Sequence, residues 1–118
     1  MGLDQFAFAI DNNGEKEELA CWRKHPNLQG WMENLWESKG RPNAHDNDDS
    51  FNCVELELTL EDLIDLEQAV TNASLPDTVG FFFGSNSDDI YGQQDLEFVE
   101  KARKALDKGM TVVYDSWW

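Results

Sequence analysis

The charge of this chain is distributed very unevenly along the sequence. Between Pro42 and Glu100 there is no Lys or Arg, and the same stretch contains fifteen of the 24 acidic residues. Outside it nine acids are matched by nine bases, so the formal net charge of −15 belongs to one contiguous half of the chain. Like charges at this density repel each other, so the folded state needs interactions that compensate for the repulsion.

Two functions fit such an acidic half. One is solubility alone, because acidic faces commonly keep small proteins soluble and monomeric. The other is a surface that attracts a basic partner protein, or that imitates the phosphates of nucleic acid. Both disfavour direct binding to a nucleic-acid backbone, which is itself negatively charged. The residues expected to contact a basic partner are Glu55, Glu57, Glu61, Asp62, Asp65, Asp88 and Asp89.

Composition indicates that the chain folds. Its 118 residues suit a single acidic domain over 1–118, and 41% hydrophobic with 12% aromatic residues is too apolar for a disordered acidic tail. No stretch approaches the ~20 apolar residues of a membrane span. An acid stands at Asp4, where a secretory signal peptide would carry a base. We therefore expect a soluble, cytoplasmic protein without membrane contact.

The first half of the chain shows strand and helix periodicity. Phe6, Phe8 and Ile10 alternate with smaller or polar residues, which predicts a strand with one buried face. Residues 19–24 predict a short strand that pairs back across an Asn-Asn-Gly turn. A helix is predicted over 26–39, with Pro26 at a first helical position. The turn formers of residues 41–50 predict an exposed, mobile loop.

The second half repeats this alternation. Residues 54–58 predict a strand with one acidic, solvated face, and Thr59 with Asp62 resembles a capping box that opens a helix ending near Ala73. Residues 79–84 predict a buried strand or a tight aromatic turn. A third helix is predicted over about 93–108, with basic residues at its end, followed by a last strand. One of the two terminal tryptophans is expected to be buried and the other partly exposed.

The element order predicts an α+β fold. A parallel sheet would need helices on both faces, whereas the acidic face of the strand at 54–58 must stay in solvent. We therefore expect a small, mostly antiparallel sheet with about three helices packed on one face.

No motif predicts a reaction, a cofactor or a metal. Cys21, His25, His45 and Cys53 lack the tight paired spacing of a zinc site, and the two cysteines are expected as buried, reduced thiols in strands. The acids at 46–49 and the Asn86–Asp88 pair lack the glycine and the distal glutamate of a calcium loop. Phosphate-binding and nucleophile-elbow motifs are also absent from the sequence, so no catalytic residue is predicted.

One basic cluster stands beside aromatic residues and suggests an alternative function. Cations beside aromatic rings can bind an anion or a nucleotide base. The same cations could instead form internal salt bridges with the acidic half. The residues of this alternative ligand site are Trp22, Arg23, Lys24, Phe82 and Tyr91.

Several short motifs resemble those of a family of short, uncharacterised proteins encoded by tailed phages, including phages of cyanobacteria. The shared elements are MGLD at Met1–Asp4, the WRK segment at Trp22, GFFFG at Gly80–Gly84 and the terminal YDSWW from Tyr114. Members are often labelled phosphoglycerate kinase, which is a two-domain enzyme several times longer than this chain. The resemblance implies a viral origin and a setting in the cytoplasm of an infected host cell. It carries over no catalytic residues.

Overall fold

A computed structural model describes residues 3–23, 25–44, 51, 53–72, 74–75 and 88–117. The side chains of Pro26 and of residues 88–91 are not described. The predictions for the strand or turn at 79–84, for loop residues 45–50 and for Trp118 lie outside the described residues.

The described chain forms one antiparallel sheet with three helices on one of its faces, which confirms the expected α+β fold. The strands are β1 (Asp4–Ile10), β2 (Lys16–Arg23), β3 (Leu56–Leu58) and β4 (Thr111–Trp117). They lie in the order β2-β1-β4-β3. The helices are α1 (Pro26–Ser38), α2 (Leu60–Thr71) and α3 (Asp88–Asp107). Among these helices, none combines the length and the apolar character that crossing a membrane requires.

The β1–β2 hairpin is formed by local interactions that the sequence predicted. The Asp11 carboxylate accepts hydrogen bonds from the backbone N–H groups of Asn13 and Glu15, each at 2.9 Å. Gly14 closes the turn at φ +82°, a conformation that favours glycine. The second strand therefore begins at Lys16, three residues earlier than predicted.

The buried face of β1 is not the one that carries its large apolar side chains. Gln5, Ala7 and Ala9 are buried against the helices, whereas Phe6, Phe8 and Ile10 are only half-buried on the opposite face. The neighbouring strands supply the bulk of the core, with Tyr114 and Leu56 paired in register on the buried side. We call the face opposite the helices the open face. It carries Phe6, Phe8 and Ile10 of β1, Lys16, Glu18, Cys21 and Arg23 of β2, Glu57 of β3, and Val113, Asp115 and Trp117 of β4.

A β-bulge in β2 changes which of its side chains reach the open face. Opposite Ala7 and Phe8 of β1 the register skips Leu19, so the alternation shifts by one residue. Leu19 and Ala20 both pack against the core as a result. Lys16 pairs with Ile10 and therefore lies on the open face, where an unbroken alternation would have turned it inward.

Helices α1 and α2 follow the predicted local signals, whereas α3 begins at Asp88, five residues before its predicted start. Thr59 and Asp62 form the capping box at the start of α2. The periodicity of the sequence predicts buried apolar stripes that include Leu60, Ile64 and Leu96, but these residues are 50%, 37% and 40% exposed. Buried positions are instead taken by residues that the predicted stripes omitted, because α2 and α3 must face each other as well as the sheet. These residues are Leu66, Phe98 and Ala105.

Both edges of the sheet are partly covered by side chains. On β3, Lys39 Nζ donates to the Glu57 carbonyl at 2.9 Å and Asn43 Nδ2 to the Glu55 carbonyl at 3.0 Å. On β2, Gln94 donates to the Cys21 carbonyl. These bonds occupy backbone acceptors that would otherwise be available to pair with another strand.

The two cysteines depart from expectation. Cys21 and Cys53 are both exposed, and Cys53 lies in a turn at φ +61° rather than in a strand. Cys21 is on β2 but belongs to the open face, where no helix of the described chain covers it.

The inverted burial of β1 can be tested by placing the same side chain on each face. Ala7→Leu should destabilise the protein by about 1–3 kcal/mol, because extra methylene groups must enter a filled core. Phe6→Leu on the open face should change the free energy of unfolding by less than about 1.5 kcal/mol. Urea unfolding monitored by circular dichroism measures both. A larger loss for Phe6→Leu than for Ala7→Leu would contradict the assignment of faces.

Candidate functional site

Polar side chains are buried between the sheet, the start of α1 and α3. The His25 Nε2 and Asp95 Oδ2 atoms are 2.8 Å apart, and the side chains of both residues are almost fully enclosed. The other carboxylate oxygen of Asp95 accepts a hydrogen bond from the Trp22 indole at 2.8 Å. Asp95 thus joins β2, the residue that precedes α1, and α3 at one point.

Gln5 and Tyr114 extend this network across the sheet. Gln5 Nε2 donates to the Tyr114 hydroxyl at 2.9 Å and to the His25 carbonyl at 3.0 Å, and Gln5 Oε1 accepts from the His25 backbone N–H at 2.9 Å. The Tyr114 hydroxyl in turn donates to Gln29 Oε1 on α1. Burial raises the pKa of Tyr114, so its hydroxyl remains protonated and able to donate. We call these residues, with Trp22, His25 and Asp95, the buried polar network.

The buried polar network has a structural role in the described fold. A His–Asp pair is an arrangement that enzymes use to orient a general base, but here the His25 side chain is 0% exposed. A substrate therefore has no access to the ring in this conformation. No sequence motif predicted the network; the available signal was Gln5, a polar residue in phase with Ala7 and Ala9 on β1.

Metal binding finds no support in the described residues. Among them no group of three or more His, Cys, Asp or Glu side chains is arranged to hold a metal ion. Of the zinc ligands considered above, His25 is buried beside Asp95 while Cys21 and Cys53 are exposed, and His45 lies outside the described residues.

The acids predicted to meet a basic partner are divided between three places. Glu55 and Glu57 belong to the edge of the sheet formed by β3, and Glu57 is exposed. Glu61 and Asp65 are exposed one helical turn apart on α2. Asp88 and Asp89 begin α3, and their side chains are outside the described set.

Asp62 points inward rather than towards solvent. Its carboxylate accepts the Thr59 backbone N–H at 2.9 Å and also pairs with Lys39. The side chain is only 11% exposed. Asp62 therefore stabilises the junction of α1, β3 and α2.

The residues of the alternative ligand site also differ in how deeply they are buried. Trp22 is 1% exposed, and its ring packs edge-on against Phe98 with 5.2 Å between centroids. Arg23 is exposed and pairs with Asp4 at 3.2 Å. Tyr91 belongs to α3, but its side chain is not described, and Lys24 and Phe82 lie outside the described residues.

The open face combines apolar and charged side chains. Phe6 and Phe8 are stacked with 6.2 Å between ring centroids, and Trp117 is 53% exposed. Lys16 Nζ lies 5.6 Å from the Phe8 ring centroid and pairs with Glu55 at 2.7 Å. Lys16 lies on the edge strand β2, and Glu55 immediately precedes the opposite edge strand, β3. This ion pair therefore crosses the open face.

Asp115 occupies an unfavourable position on the open face. Its Oδ1 atom is buried and has no hydrogen-bond partner in the part of the chain that the structure describes. Burial raises the pKa of this carboxyl, and the Glu55 charge raises it further, while the Ser116 backbone N–H and Lys16 act in the opposite direction. The ionised form of Asp115 is therefore destabilised in the folded chain.

Comparison with known proteins adds no further assignment: no family model, curated protein or solved structure matches this chain.

The bond between Tyr114 and Gln29 can be isolated with a double-mutant cycle. Tyr114→Phe should cost about 1–3 kcal/mol, because it leaves the Gln29 oxygen buried without its donor. Gln29→Leu alone should also destabilise. The double variant should cost less than the sum of the two, since both partners are then apolar. Additive losses in urea unfolding would contradict the coupling.

The position of Asp115 predicts a pH-dependent effect of Asp115→Asn. The raised folded-state pKa means that the folded chain holds this proton to higher pH than the unfolded chain. Asp115 therefore contributes to the stability of the wild-type protein below its unfolded-state pKa, near 3.8, and this contribution is lost as pH rises through its folded-state pKa. Asp115→Asn should become more stable relative to wild type as pH increases from 3 to 7.

Urea unfolding at several pH values measures this difference. Asp107→Asn makes the same chemical change at the exposed end of α3 and supplies the reference curve. If Asp115→Asn instead became less stable relative to wild type as pH rises, the raised pKa of Asp115 would be refuted.

Proposed function

We propose that this protein is a non-enzymatic, phage-encoded accessory protein that binds a basic host or viral protein through its acidic surface in the cytoplasm of the infected cell. The observation that carries the proposal is a set of exposed acids without ion-pair partners among the described residues. Glu57, Glu61 and Asp65 are exposed, and no described cation pairs with any of them. The resemblance to short tailed-phage proteins supports the viral setting.

The distribution of ion pairs makes these acids distinctive. Four basic residues from outside the stretch 42–100 each pair with an acid inside it. These bases are Lys16, Lys39, Arg103 and Lys104. Their partners are Glu55, Asp62, Glu67 and Glu100. The fold therefore compensates part of the acidic half internally and leaves Glu57, Glu61 and Asp65 to solvent, where they attract an external cation.

Part of this acidity has a structural explanation, which limits what must be attributed to binding. Glu61 and Asp62 lie in the first turn of α2, where acids interact favourably with the helix dipole. Asp65 and Glu57 have no such explanation. Glu57 lies on an edge strand. Asp65 lies one turn from Glu61 on the surface of α2, and a cationic partner or salt would relieve the repulsion between these two carboxylates.

The alternative, a nucleotide-binding site at Trp22 and Arg23, is less well supported by the geometry. The Trp22 ring is enclosed by Phe98 and its indole N–H is bonded to Asp95. A base could stack on this ring only after the core had opened.

The proposal predicts a salt-sensitive interaction that depends on specific acids. In pull-downs from host lysate with the tagged full chain, a basic protein should bind at low salt and dissociate at high salt, because exposed charge pairs are screened. Glu61→Gln combined with Asp65→Asn should weaken capture by about 10-fold, at up to ~1 kcal/mol for each exposed pair. Adding Glu57→Gln should weaken it further.

Glu15→Gln combined with Glu17→Gln is the matched control. It removes two exposed acids outside the stretch 42–100 and changes the net charge by the same amount as Glu61→Gln combined with Asp65→Asn. Equal weakening by both double variants would show a general effect of net charge and contradict a specific surface. Capture that does not respond to salt would also contradict it.

A further inference from the structure

The open face of the sheet combines an apolar strip with carboxylates that have no cation partner among the described residues. The side chains of Phe6, Phe8, Ile10 and Val113 are not part of the hydrophobic core, although Val113 is only 6% exposed. Within the described chain, all three helices pack on the other side of the sheet. Apolar surface that is bordered by polar residues in this way commonly marks an interaction site.

The charges around the strip are not balanced. Lys16 and Arg23 pair with Glu55 and Asp4. Glu18 on β2, Glu57 on β3 and Asp115 on β4 have no cation partner among the described residues. Glu18 and Glu57 thus mark the two opposite edges of the face, and Asp115 lies between them.

The buried Oδ1 atom of Asp115 also accepts no hydrogen bond from the described residues. A buried acceptor without a partner costs about 1–3 kcal/mol. Because the Oδ1 atom is enclosed, a partner does not reach it directly, but a cation placed beside this carboxyl would stabilise its ionised form.

We propose that the open face binds a basic amphipathic helix of a partner protein, with its apolar stripe on Phe6, Phe8 and Trp117 and its lysine or arginine side chains on Glu18, Glu57 and Asp115. This inference rests on the proposed function, to which it adds a docking site for one helix of the basic partner in addition to the contacts of Glu61 and Asp65 on α2. A second copy of the chain is excluded as occupant by charge, because two such faces would bring like carboxylates together.

The dimensions of the face favour one helix. Seven residues of β1 extend for about 23 Å and four strands span about 19 Å, an area on the order of 400 Å². This is roughly half of what one partner contributes to a stable protein interface. A helix about 10 Å in diameter and of about 15 residues fits this length and leaves about 4–5 Å on each side, which flanking lysine side chains span.

The test uses a defined peptide and the full chain labelled with ¹⁵N. The probe is a Leu–Lys peptide of about 15 residues with its leucines at i, i+3, i+4 and i+7 spacing, and the control is a scrambled peptide of the same composition without that stripe. Amide chemical shifts of β1 and β4 should move on titration at low salt. The scrambled peptide should bind at least about 10-fold more weakly, since the apolar contact is lost.

Variants separate the open face from α2. Trp117→Ala, which alters an exposed side chain, and Phe8→Ala should each weaken the amphipathic peptide by about 10-fold, and Asp115→Asn should weaken it too. Glu61→Gln with Asp65→Asn should have a smaller effect than any of these.

The outcomes distinguish the two proposals. If both peptides bind alike and only the α2 variant weakens them, the open face is not the docking site while the acidic-surface function survives. Shifts confined to the helices would lead to the same conclusion. If neither peptide binds at low salt, both proposals fail.

Discussion

The fold depends on the buried hydrogen bonds that Gln5, His25 and Asp95 make with their neighbours. These bonds connect β1, β2 and β4 to the start of α1 and to α3, and they are directional, unlike the apolar contacts around them. Buried polar groups are costly unless they are satisfied, so a shift of any of these elements would leave several groups without partners. The buried polar network therefore fixes the register of the elements as well as holding them together.

The network also explains why the apolar side of β1 faces outward. Gln5 is required in the interior by its bonds to Tyr114 and to the His25 backbone. Because side chains of a strand alternate with a period of two, Ala7 and Ala9 must follow it inward, and Phe6 and Phe8 must face the other side. The open face therefore arises as the necessary counterpart of a polar interior.

Charge compensation follows a related logic. In the tertiary structure, basic residues from outside the acidic half form ion pairs with acids inside it, as Lys39 does with Asp62. Lys16 reaches Glu55 across the whole open face only because the bulge in β2 turns it outward. Among the described acids without an ion pair, those on the open face and on α2 are the basis for proposing a basic partner.

The sequence alone predicted every element whose signals are local. The Asn-Asn-Gly turn, Pro26 at the start of α1 and the capping box of Thr59 and Asp62 each act within a few residues, so the helices, the strands and the α+β class could be predicted. The acidic half and its candidate residues were likewise visible as composition. What only the tertiary structure decided was which side of each element is buried and which acids are paired. Periodicity shows that two faces differ but not which one packs, and the choice for β1 was made by hydrogen bonds from Gln5 to residues 20 and 109 positions away.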